Sequence, residues 1–598
     1  MRRQNLSVIV ILMAVVVAVI AMVSWRKADM APRQSQTVRP ESAPPLESIE
    51  YAVCRKTSEF DPGTIRVCLR NTTGMDLAFT KVLLDGLPVP VWGVDLTPEN
   101  VRENKPEVKD DEHKSVYESA AARFSGKRIL WARLSPVSIP PGGIGEFAAK
   151  LVNPLSRPMK VEFVPESGKN LSVIVRPLEP ALHITAITFS GDLAKAYIYY
   201  EGVKETALKI RGMEINGNWM PVGVKTHNKE ISAPKTWFSS PVVGEKQFAA
   251  VTFDKPLRQG AYLTARLVCE DGFAAEERVR VFSGFPLNVE CGDPPPGFGL
   301  DEYPFACYAN GSFLPVGGGK GGGLRGNYLF CCHMHEFGGN LELCASETLR
   351  RYALCREKNS EPSFNHLCRI CAERGYALFA ETADILRINP NIQTSMSKRD
   401  YPESPEEVVA RVCKYAYFSS RPRPVHSLAD TSIFDGSEAT DSPEAVRRRI
   451  FTILASGVKG LFYRHREWKK AGELNEEIRK INAVIRIMIP YLTIADPIEI
   501  SEVRKDSILP GALLAGDQAV IVFAIRKAAA GKGEEETASS HEFLVSLPGG
   551  LAPVSCSLLG VDKELQLPFA MKEGKILVTL PQIKQAEVCL LRLRRMQE

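Results

Sequence analysis

Between residues 328 and 498 short apolar runs alternate with amphipathic helical stretches, and this alternation constrains the fold more than any other feature. YLFCCHMH (328–335), SFNHLCRI (363–370), ADILRIN (383–389), RPVHSLAD (423–430) and KGLFYRH (459–465) read as strands. Helical stretches separate or follow them: SETLRRYALCREKN, SPEEVVARVCKYAYF, a segment through Val446, Ile450, Ile453 and Leu454, and a last one from Leu474 to Ile489. Ser404 suits an N-cap, Pro405 the first helical position, and Glu407 completes a capping box. Ser442, Pro443 and Glu444 repeat that chemistry, Gly457 suits a C-terminal stop, and Pro490 predicts the end of the last helix. Such alternation implies βα units and a parallel sheet. A (β/α)8 barrel is favoured over a doubly wound sheet, because no phosphate-binding turn appears where the latter would carry one.

The flanks have another rhythm. TIRVCLRN, LAFTKVLLDG, RILWARL, GEFAAKLVN and KVEFVPESG are short alternating runs within 48–177, separated by Gly, Pro, Asn and Asp. HITAITFSG, LAKAYIYYEG, QFAAVTFDKP and YLTARLVCEDG repeat the pattern within 178–283, and AVIVFAIRK, HEFLVSLPG and KILVTLPQ within 499–598. Each set predicts a β-sandwich. The charged stretch 100–125 lacks the pattern and reads as a loop or helical insertion. The expected order is therefore an anchor (1–27), a proline-rich tether (28–47), two sandwiches (48–177 and 178–283), a barrel-like domain (284–498) and a C-terminal sandwich (499–598).

Residues 6–23 form an eighteen-residue run without a charge, preceded by Arg2 and Arg3 and followed by Trp25, Arg26 and Lys27. That length just suffices for a transmembrane helix and exceeds a usual signal-peptide core. A membrane-anchored chain with its body outside the cytoplasm is the expectation, with a cleaved signal peptide as the alternative. The formal net charge is +5, and four of the positive charges lie in 1–27, so the body carries about +1. A nearly neutral body lacks the basic stripe of a nucleic-acid binder.

Nine of the fourteen cysteines fall between 291 and 413. An exported chain permits disulfides, and Cys54 with Cys68 is one candidate bridge; small buried hydrophobes are the plainer reading. The run VGGGKGGGLRGN (316–327) is no Walker loop, since Gly321 rather than Ser or Thr follows Lys320. It reads as a flexible loop, and no cofactor is implied. Cys331, Cys332, His333, His335, Cys368 and Cys371 would suit zinc by ligand type. Alternate strand residues face opposite sides, however, so no metal site is expected.

Chemistry in such a barrel belongs at the C-terminal strand ends. With 459–465 as strand eight, 423–430 is strand seven and 328–335 strand four. Glu336 then follows strand four and Asp430 ends strand seven, facing each other across the mouth: a carboxylate pair suited to glycoside hydrolysis. YLFCCHMHEF, ASGVKGLFYRH and LNEEIRKINAVIRIMIPYL resemble glycosidase-like barrel proteins of the β-galactosidase/agarase type, multi-domain exported bacterial proteins. The resemblance covers under a third of the chain. It implies that Glu336 is the acid/base and Asp430 the nucleophile. Two departures stand out: His335 replaces the usual Asn before the acid/base, and Asp430 replaces the usual Glu. His335, Asn389, Tyr463, Arg464 and Trp468 are the expected substrate contacts. The implied activity is hydrolysis of an oligo- or polysaccharide, and the alternative is a non-catalytic carbohydrate- or protein-binding scaffold. Residues 284–327 are too few for three βα units, so the first half of the barrel is expected to be degenerate.

Overall fold

The computed structural model describes residues 47–301 apart from 56–61, 92–93, 95–128, 136–137, 177–181, 203–208, 223–234, 241–245, 259–260, 271–273 and 292–295. It further describes the strands 327–333, 361–368 and 385–388, residue 390, and residues 404–596 apart from 432–441, 465–467, 469–471, 503–506, 529–539, 562 and 581–582. The run 6–23, most of the tether, the 100–125 stretch, the glycine run and the helical stretch at 346–359 lie outside these residues. Among the described residues no helix is long and apolar enough to cross a membrane.

The 47–176 region is two antiparallel sheets, one of four strands and one of five. The first is ordered Glu47–Arg55, Thr64–Asn71, Ile144–Leu151, Ile129–Ser135; the second Leu87–Val89, Leu77–Leu84, Met159–Pro165, Leu171–Val175, with Ser138–Ile139 also pairing to Leu77–Leu84. Alternate residues such as Ile65, Val67 and Leu69 point between the sheets, where Phe147 meets Phe163 edge-on at 5.2 Å. The Cys54–Cys68 bridge does not form. Cys68 pairs with Tyr51 and Cys54 with Ile65, so the two cysteines lie three positions apart, about 10 Å along the ladder and on opposite faces. A second pair of sheets follows: Leu182–Phe189, Lys195–Gly202, Gln247–Thr252 and Lys235–Phe238 against Asn218–Pro221, Ile210–Ile215, Tyr262–Cys269 and Ala274–Arg280, with its own apolar core.

The central segment holds a six-stranded sheet in the order Leu287–Cys291, Leu461–Arg464, Val425–Asp430, Ile385–Ile388, Glu361–Cys368, Asn327–His333. Every pairing is parallel. The strand that is first in sequence lies beside the last, and the others follow in turn, which is the circular order of a (β/α) barrel. Among the described residues Leu287–Cys291 and Asn327–His333 are not paired, and Leu287–Cys291 alone stands where three strands of an eight-stranded barrel would be. The short 284–327 interval anticipates this.

Three described helices accompany the sheet: α1 (Pro405–Ser420), α2 (Pro443–Ala455) and α3 (Glu473–Ile494). The capping box of α1 forms, with the Glu407 amide donating to Ser404 Oγ at 3.3 Å and the Ser404 amide to Glu407 Oε2 at 2.9 Å. Ser442 caps α2. Pro490 does not end α3, which runs four residues further. The reason is tertiary: that last turn buries Leu492 and Ile494, and its carbonyls have partners elsewhere. Lys459 donates to Leu492 O at 3.0 Å and also to Ala495 O; Tyr199 and Thr188 donate to Ile494 O.

Residues 496–595 form two further antiparallel sheets, one of six strands and one of four. Helix α2 lies between the parallel sheet and this region, with Phe451 6.3 Å from Phe523. One continuous apolar cluster therefore runs from Leu287 and Leu461 through all three helices to Ile521 and Leu590.

Candidate functional site

Register and burial divide the parallel sheet into two faces. Leu287, Val289, Leu386, Ile388, Val425, Ala429, Leu461 and Tyr463 share the apolar cluster of the helices. The alternate positions, Asn288, His426, Leu428, Asp430, Phe462 and Arg464, lie on the opposite, inner face. His426 stacks near Phe462 with ring centroids 5.6 Å apart. Asp430 and Arg464 are register partners at the C-terminal ends of adjacent strands.

Asp430 is thus where a barrel would use it, but it is only 1% exposed. Its Oδ2 lies 4.0 Å from Arg464 Nη1, and its backbone carbonyl accepts from Arg449 Nη1 at 2.8 Å. Helix α2 contributes Arg449, so the helix after the strand holds the strand's end in place. Thr431 extends the link, its amide donating to Arg464 O at 3.3 Å. Together these contacts fix one carboxylate and one guanidinium side by side.

Tyr463 and Trp468 do not line that face. Tyr463 is fully buried on the helix side, and its hydroxyl donates to Asn482 Oδ1 of α3 at 2.7 Å. Burial pushes its phenol well above the ordinary range. Trp468 is 3% exposed and meets Tyr463 and Phe298 edge-on at 6.0 and 5.2 Å. The two rings seal α3 against the sheet and turn no flat face to solvent, which corrects their expected role as a sugar platform. Their polar and aromatic character was legible in sequence; the direction of the side chains was not. His335, Glu336 and Asn389 lie outside the described residues, and with them the expected pairing of Glu336 with Asp430.

Sequence reasoning missed His426, Asn288 and Arg449. The alternation His426, Leu428, Asp430 was a usable signal for the first; nothing local marks the other two. It also missed a polar knot at the N-terminal end of the sheet. Asp496 is fully buried there. It accepts from Thr185 Oγ1 at 2.9 Å, from Tyr417 OH at 2.9 Å and from Lys246 Nζ at 2.5 Å. A cavity of about 50 Å³ adjoins it, bounded by Thr185, Arg280, Arg423, His426 and Lys459 among others.

No family model matches the chain, and no curated protein matches it. Among solved structures it is similar to a maltogenic α-amylase from Thermotoga neapolitana, at 10% identity and a TM-score of 0.30, over 45% of this chain and 62% of that one. It is similar to a β-L-arabinopyranosidase from Geobacillus stearothermophilus at 10% identity and a TM-score of 0.30, over 44% and 57% of the two chains. A β-galacturonidase from Eisenbergiella tayi is similar at 10% identity and a TM-score of 0.18, over 70% and 89%. The chain spans about three fifths of the length of the first two. At these TM-scores the likenesses carry no argument about the fold, which is described by the strand order and register of the parallel sheet alone.

Proposed function

We propose that this chain is a membrane-anchored, extracytoplasmic, glycoside-hydrolase-like protein that acts on an oligo- or polysaccharide at the C-terminal ends of its parallel strands. The observation that supports this reading is Asp430, a carboxylate that ends a parallel strand on the inner face beside Arg464. Asp430 serves as nucleophile and Glu336 as general acid/base, with His335, Asn389 and Arg464 as sugar contacts. The division into anchor, tether, two sandwiches, barrel and C-terminal sandwich belongs to the same reading. Residues 6–23 hold the body at the membrane, and protease applied to intact cells should remove it; recovery of an untouched body from the cytosol would end that part.

The deciding experiment is a hydrolysis and glycan-binding screen of the full chain in detergent, with Glu336→Gln and Asp430→Asn alongside. Turnover should fall by about 10³-fold or more in each variant while binding persists, since the amides keep the shape but neither donate a proton nor attack. Turnover unaffected by both changes would overturn the assignment. A carboxyl separation of about 5–5.5 Å would mean retention of configuration, and about 6.5–9.5 Å inversion.

The second reading is a non-catalytic carbohydrate- or protein-binding scaffold that retains the barrel. It is favoured by the complete burial of the Asp430 carboxylate next to a guanidinium, an arrangement that also serves stability alone. Its signature is glycan binding without turnover, with Asp430→Asn lowering the melting temperature instead of a rate.

A further inference from the structure

The N-terminal end of the parallel sheet, opposite the end that carries Asp430, gathers cations from three parts of the chain. Arg280 ends the strand Ala274–Arg280 of the second sandwich, Arg423 lies in the turn from α1 to Val425–Asp430, and Lys459 lies in the turn before Leu461–Arg464. Arg280 and Arg423 are buried. All three residues bound the cavity of about 50 Å³ beside Asp496, as does His426. Among the described residues that bound it Asp496 is the one carboxylate, and Lys246 already donates to it. Glu146 of the first sandwich lies near Arg423, but Arg66, Arg133 and Arg278 share it. Lys459 gives two of its N–H groups to the Leu492 and Ala495 carbonyls; an ammonium has a third to offer. Burial lowers this amine only to about 8, so it is still charged at about pH 7.

Three cations around a cavity whose one carboxylate is shared are costly in a buried place, and an anion among them offsets that cost. The donors decide which anion. A guanidinium fork matches two oxygens of an oxyanion, and a lysine ammonium acts as a point charge. At about 10–15 Å³ for each water-sized group, the cavity takes about three to five such groups. That is the size of the four oxygens of a tetrahedral oxyanion and leaves no room for a bulky ester on it. We propose that this cavity binds one free inorganic oxyanion, phosphate or sulfate, between Arg280, Arg423 and Lys459. The ion ties the second sandwich to the N-terminal end of the parallel sheet, and its occupancy sets how firmly the two hold together. It needs nothing of the carbohydrate chemistry at the opposite strand ends.

The test is equilibrium dialysis of the full chain in detergent at about pH 7 against radiolabelled phosphate, with ionic strength held constant by chloride. Saturable binding of one phosphate per chain is expected, displaced by sulfate but not by phenyl phosphate at the same concentration. Lys459→Met and Arg280→Gln should each weaken binding by about 10-fold or more, since each removes a charged donor. Only variants that still melt in one cooperative transition are compared. The melting temperature should rise with phosphate in the wild type and stay level in Lys459→Met. Crystals of the unaltered chain soaked in selenate locate the ion whether or not a variant folds, and the anomalous signal should lie between Lys459 and Arg280. No saturable phosphate binding, equal displacement by phenyl phosphate, an affinity unchanged in both variants, or selenate found only at surface lysines would each overturn the proposal.

Discussion

At the scale of single residues the informative groups are buried charges whose neighbours come from distant parts of the chain. Asp496 follows α3, yet Thr185, Lys246 and Tyr417 satisfy it from far away in sequence. Asp496→Ala should cost about 3–5 kcal/mol, because the Lys246 ammonium is left without its counter-charge in a buried place. Urea unfolding reads this as a lowered midpoint; a change under 1 kcal/mol would mean that the knot is not stabilising. Lys459 makes the complementary case. Burial pushes its amine down to about 8, Asp496 opposing and Lys246 reinforcing the fall. From about pH 8 up to the unfolded lysine value near 10.4 the unfolded chain retains a proton that the folded chain has released. Stability contributed by this residue therefore rises with pH in that window and is flat below it. The melting temperature of the wild type relative to Lys459→Met should climb between pH 8 and 10; a constant difference would refute the assignment.

At the scale of elements, the helix starts were legible because capping is local chemistry: a side-chain oxygen satisfies an amide two or three residues on. Ser404→Ala should cost about 1 kcal/mol by removing the acceptor for the Glu407 amide, as measured by chemical denaturation. The stop at Gly457 is equally local. Its φ is +87°, and a Cβ there would sit 2.5 Å from Pro497 Cγ. Gly457→Ala combines backbone strain with that overlap and should cost about 1–3 kcal/mol or more; an unchanged melting temperature would show that the turn relaxes freely. Helix α3 is the counterexample. Pro490 reads as a terminator, but the burial of Leu492 and Ile494, and donors from Lys459, Tyr199 and Thr188, carry the helix past it. None of those partners is near in sequence.

At the scale of the whole molecule, buried ion pairs join the sandwiches. Arg66, on the outer face of the first, donates to Glu277 of the second at 2.7 Å, each side chain 4% exposed. Glu146 lies beside it. Burial alone would raise its carboxyl, yet Arg66, Arg133, Arg423 and Arg278 hold it below the ordinary carboxylate range. Arg66→Met should destabilise by about 3–5 kcal/mol, and Arg66→Met with Glu277→Leu should recover most of the loss, since a missing pair costs less than a stranded charge. A double-mutant cycle by calorimetry checks this, and a double variant no better than the single one would count against it.

The amino-acid sequence by itself determined the order of strands and helices, the capped starts of α1 and α2, and the placement of Asp430 at a strand end, because periodicity, capping and turns act over a few residues. Strand pairing, and with it the circular order of the parallel sheet, was decided when Leu287–Cys291 met Leu461–Arg464 across more than 170 residues. So too was the direction of each side chain: Asp430 and Arg464 to the inner face, Tyr463 to α3 and Arg66 to Glu277. Those outcomes depend on which surfaces exclude water together and which buried charges find partners, and both are properties of contacts that exist only once the chain has folded.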